Sequence, residues 1–74
     1  MPSQPRDVLV DHASMMLEKS PYVSSRDVRL ESDQGRLILR GSVTTYYQKQ
    51  MAQELVRGID GVSAVENLLE VHWR

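Results

Sequence analysis

Two histidines, His12 and His72, are the side chains of this sequence best suited to metal ligation or to proton transfer near neutral pH, and they stand at opposite ends of the chain. Neither has a second histidine four residues away, and there is no cysteine, so the spacing that builds a local metal site is missing and none is expected. Serines are plentiful, but neither histidine lies in a context resembling a nucleophile elbow or a serine–lysine motif, and a thiol nucleophile is ruled out by composition. The glycines at 35, 41, 58 and 61 fall in turns and in a strand rather than between a strand and a helix start, so no phosphate-cradling loop is formed. Residue types and spacings therefore point to no catalytic group and no cofactor. An enzyme is not expected.

Size and charge narrow what remains. A chain of 74 residues holds one domain with one core at most. Apolar residues make up 41% and charged residues 26%, too apolar for a disordered tail, so a folded module is expected that must hold together by packing alone. Ten acidic against nine basic residues leave a net charge of -1, and no summed field draws the protein to nucleic acid or to an anionic membrane, so any such binding must come from a local patch. Apolar runs such as Val8-Leu9-Val10 are far shorter than the roughly 20 residues that span a bilayer. The start, Met1-Pro2-Ser3-Gln4-Pro5, lacks the basic and apolar regions of a secretory signal, which predicts a cytoplasmic location for the chain as written. Residues 1–4 are expected to be a flexible N-terminus and residues 5–74 a single domain.

The hydrophobic periodicity predicts the elements that would position any site. Pro5 suits a first helical turn, and Leu9, Val10, Ala13, Met16 and Leu17 fall within about 120° of a helix that Ser20-Pro21 ends. Period-two alternation then predicts a strand over residues 27–31 and another carrying Leu37, Leu39 and Val43, joined antiparallel through a three-residue loop, Asp33-Gln34-Gly35. Thr45 with Gln48 matches a capping box. The helix it starts should bury Gln48, Met51, Ala52, Leu55, Val56 and Ile59 and turn out at Gly58 or Asp60-Gly61. From Val65 onward one strand alternates to the C-terminus, and a right-handed crossover would lay it parallel to the second strand. The expected fold is α+β: an αββαβ two-layer sandwich, a three-stranded mixed sheet with both helices on the face that carries Val28, Leu30, Leu37, Leu39, Val65, Leu69 and Val71.

The string Leu39-x-Gly41-x-Val43, a helix containing Ala52, and Gly61-Val62-x-x-Val65-x-Asn67-x-Leu69-x-Val71 resembles the BON domain, a family named for bacterial osmotically inducible and nodulation proteins and also called the transport-associated and nodulation domain. The resemblance runs from about Val8 to His72. It implies a non-enzymatic adaptor module of the bacterial envelope, commonly periplasmic and in tandem, with phospholipid surfaces or another protein as its partner. If the chain is excised from a longer protein, the resemblance implies a periplasmic or envelope location. The signature positions carry over as architecture: Gly41 and Gly61 as backbone-permissive sites, and Asn67 as a polar side chain on the oily face whose amide should tie down a neighbouring backbone group; Gly35 is a structural glycine of the hairpin loop on the loop reading alone.

Two surfaces are candidates for binding. Val8, His12, Met15 and Lys19 share the outer side of the first helix and could meet anionic phospholipid or a protein partner, with Asp11 and Glu18 opposing. The bare sheet face should carry Arg29, Arg36 and Arg40 beside Glu31, Glu66 and Glu70 around an apolar centre of Ile38 and Leu68. That face lacks the aromatic rings of an RNA-binding sheet but suits a weak homodimer through Arg29, Ile38, Arg40 and Leu68; otherwise the protein is a monomer. In the first turn of the second helix, Tyr47 should border the core and Tyr46 lie exposed as a packed ring edge.

Overall fold

A computed structural model of the protein describes residues 8–23 and 27–72. The elements run α1 (Val8–Glu18), β1 (Val28–Asp33), β2 (Arg36–Val43), α2 (Tyr46–Arg57), β3 (Ala64–Asn67) and β4 (Glu70–Val71). Pro5, the flexible-terminus expectation and the last two positions of the predicted third strand lie outside the described residues.

Helix α1 turns its Ala13 and Leu17 into the core and half-buries Leu9 and Val10. It closes with a tightened turn, Ser20 N donating to Leu17 O at 3.1 Å, because Pro21 has no amide hydrogen to continue the ladder. Helix α2 starts at the expected capping box: Gln48 N donates to Thr45 Oγ1 at 3.1 Å, and Gln48 Oε1 accepts from Thr45 N at 3.2 Å. The same oxygen also takes the amide and hydroxyl of Thr44, both at 2.9 Å. Ala52 and Val56 are fully buried, while Met51, Leu55 and Ile59 are half-buried along the seam with α1, and Gly58 caps the end.

Strand β2 is central, antiparallel to β1 and parallel to β3 and β4, so the sheet is mixed as expected. Two features differ from the expectation. The β1–β2 loop has two residues, not three: Asp33 pairs with Arg36, and both Gln34 and Gly35 have positive φ, +53° and +87°, as a type I′ turn requires. Second, the single C-terminal strand is broken at Leu68-Leu69 into β3 and β4. The break lies opposite Arg40 and Gly41; Gly41 has a φ of +126° and pairs with Val28, and a Cβ there would run into the carbonyl oxygen of Asp27, so only glycine fits. Leu39 faces Asn67 before the break and Ser42 faces Glu70 after it, so the register continues unchanged.

The core forms between the two layers. Val28, Leu37, Leu39, Val43 and Leu69 from the sheet meet Ala13, Leu17, Ala52 and Val56 from the helices, with Val23 beneath the α1–β1 connection. Both helices therefore cover one face. Ile38, buried with 8% exposure, is the exception: it lies on the other face and takes no part in that cluster.

Candidate binding surface

The bare sheet face surrounds Ile38 with charge. Glu31 and Glu66 flank it on the neighbouring strands, and Arg36 and Arg40 precede and follow it on β2. Arg40 Nε lies 3.3 Å from Glu31 Oε2, and Arg36 Nε lies 3.8 Å from Glu66 Oε1, so two ion pairs surround the isoleucine, which is 8% exposed. The expectation of an apolar centre made by Ile38 and Leu68 is therefore corrected: Leu68 alone is open there, at 41% exposure. Arg29 and Arg40 stand directly opposite each other across β1 and β2, a like-charge pair in which Arg40 is neutralised by Glu31.

The helical side is different. Of the seven large apolar or tyrosine side chains that are exposed among the described residues, six lie there or on the connection beside it: Val8, Met15, Met16, Tyr22, Tyr46 and Tyr47. Val8 and Met15 are 70% and 53% exposed and share the outer side of α1 with the exposed His12 and Lys19, at helical spacings of four, three and four residues. Met16, expected to be core, opens instead into a shallow groove between the helices. One part of the groove, about 470 Å³, is lined by His12, Met16, Leu55 and Ile59; a continuation reaches Met51, Lys19, Pro21 and Tyr22. Tyr47 does not border the core. It is exposed and meets the ring of Tyr22 edge-on, with centroids 5.7 Å apart and planes at 86°.

Asn67 is a clamp between layers. Its Nδ2 donates to Lys49 O at 2.9 Å and to Gln53 Oε1 at 3.2 Å on α2, while its Oδ1 accepts from Leu69 N, at 3.2 Å, within the strand break. These bonds use the side chain inside the fold rather than toward a ligand. Gly35 O accepts from Ser63 N at 2.8 Å, which ties the hairpin to the start of β3, and Gly61 passes Leu9 so closely that a Cβ would sit 3.1 Å from its Cδ2. No three His, Cys, Asp or Glu side chains among the described residues lie close enough to hold a metal ion.

Residues 11–72, from the first turn of α1 past the end of β4, match the family model of the BON domain. The chain belongs to the BON domain family. No curated protein matches its sequence. The family model thus spans every element of the sandwich, and the BON fold is what brings the α1 stripe, the groove and the tyrosines onto one side. No helix among the described residues is long and apolar enough to cross a membrane. Sequence reasoning marked the α1 stripe but passed over Tyr22, because a residue just after Ser-Pro reads as loop; its partner Tyr47 becomes visible only once the end of α1 and the start of α2 are placed together.

Proposed function

We propose that this BON domain is a non-catalytic binding module of the bacterial envelope, whose helical side associates weakly with phospholipid surfaces. One observation carries the reading: among the described residues, six of the seven open large apolar or tyrosine side chains lie on the helical side or beside it, whereas the sheet side offers Leu68 alone, among ion pairs. Family membership supports it, since a phospholipid surface is the ligand class that the BON resemblance implies. Val8, His12, Met15 and Lys19 are the contact proposed on α1. Burying Val8 and Met15 contributes about 3 to 5 kcal/mol, and Lys19 about 1 near an anionic surface, against Asp11 and Glu18 on the same side. Such a sum corresponds to millimolar binding or weaker for one copy, so useful affinity requires several copies acting together.

Co-sedimentation with anionic vesicles at millimolar lipid tests this reading. Wild type should pellet in part, and Val8→Ser combined with Met15→Ser should pellet less. Equal pelleting of the two proteins removes the α1 contact, and no pelleting of wild type on any vesicle removes the phospholipid reading altogether.

A further inference from the structure

The protein has three tyrosines and two lysines, and the fold gathers all five at one end. Helices α1 and α2 run antiparallel across the groove, His12 beside Ile59 at one end and Lys19 beside Met51 at the other, so the last turn of α1 meets the first turn of α2. There Tyr22, Tyr46 and Tyr47 stand 49%, 64% and 57% exposed. The Tyr22 and Tyr47 rings brace each other edge to face, which holds two amphipathic side chains outward in a fixed arrangement. Lys49 Nζ lies 5.9 Å from the centroid of the Tyr46 ring, and Lys19 lines the same hollow as Tyr22, Pro21 and Met51.

We infer that this tyrosine–lysine tip is a second lipid contact, one that reads negative charge at the headgroup level of an anionic phospholipid surface. The inference rests on the phospholipid reading above and adds to it where selectivity resides. Tyrosine suits a boundary that is apolar on one side and wet on the other, because the ring enters the acyl edge while the hydroxyl stays hydrated. The charges seated against these rings are both ammonium groups, complementary to phosphate. The α1 stripe cannot supply that selectivity, since Asp11 and Glu18 offset Lys19 along its length. Carboxylates are present at the tip end as well: Glu18 sits about 100° further round α1 than Lys19, Asp27 is exposed at the start of β1, and Glu70 lies on the bare sheet side beside His72. The tip is thus two lysine–tyrosine pairs, Lys49 with Tyr46 and Lys19 with Tyr22, on either side of the first turns of α2, and not a cationic end. Val8 is roughly 16 Å from Lys19 along α1, so contact through the tip and contact along the stripe are distinguishable.

The full chain, mixed with vesicles of phosphatidylglycerol and phosphatidylcholine containing a spin-labelled lipid, tests the inference by the broadening of its backbone amide resonances. The expected result is broadening strongest at residues 19–22 and 45–49. Lys49→Gln should lower the apparent affinity for phosphatidylglycerol-rich vesicles about fivefold, the size of one lysine near such a surface, and leave pure phosphatidylcholine vesicles unaffected. Tyr46→Ser combined with Tyr47→Ser, both exposed, should weaken binding to either composition. Broadening confined to residues 8–15, or a Lys49→Gln variant that binds like wild type, overturns the tip while leaving the phospholipid reading in place. Absence of broadening and of pelleting for wild type on every composition overturns both.

Discussion

Asn67 ties the two layers together through one side chain, bonding a helix carbonyl, a helix side chain and the amide of Leu69 at once. Removing it leaves Lys49 O without its extra donor and Leu69 N without a partner at a partly buried position. Losing such partners costs about 1 to 3 kcal/mol. Asn67→Ala should therefore lower the unfolding free energy by that amount, read as a lower urea midpoint at an unchanged denaturant slope, and a loss below about 0.5 kcal/mol would show that the clamp is dispensable. A domain of this length has a stability of roughly 4 to 11 kcal/mol, so the variant remains folded and measurable. The inward position of Asn67 is legible from the alternation around it, because period two assigns a face to each residue. Its partners are not, since they arrive from α2 through tertiary packing that no local spacing encodes.

Elements with a side-chain signature are the ones the sequence announces. The Thr45/Gln48 reciprocity sets the first turn of α2 through contacts three residues apart, and proline at position 21 stops α1 by lacking an amide hydrogen. The hairpin is less legible because either loop length satisfies the alternation on both sides; what selects two residues is the pairing of Asp33 with Arg36, which places Gln34 in the left-handed region. Glutamine gains nothing there, whereas asparagine tolerates that region and Asn-Gly is the preferred pair for a type I′ turn. Gln34→Asn should stabilise the protein by about 0.5 to 1 kcal/mol, a rise in Tm of roughly 2 to 8 °C, and a fall in Tm would contradict the turn assignment. The break between β3 and β4 is illegible for another reason: the alternation from Val65 to Val71 runs through it undisturbed.

At the scale of the molecule the question is which side meets a partner, and the bare sheet is the competing choice. A standard protein interface buries about 800 Å² from each partner around a dry apolar centre. The sheet offers Leu68 for that centre, because Ile38 is already buried among two ion pairs. Pairing two such faces would strip water from Arg36, Arg40, Glu31 and Glu66, whose charges are compensated within one copy, and desolvating satisfied ion pairs opposes association. The protein should therefore sediment as a monomer at hundreds of micromolar, and Leu68→Arg should leave its sedimentation coefficient unchanged. A dimer that Leu68→Arg dissolves would make the sheet the interface. A monomer with one weakly binding side must reach useful affinity by repetition, so linking two copies through a flexible segment should raise apparent vesicle affinity by about a hundredfold or more, provided both helical sides reach the same surface. A gain no greater than the twofold from doubling the sites would mean that the two helical sides do not engage one membrane together.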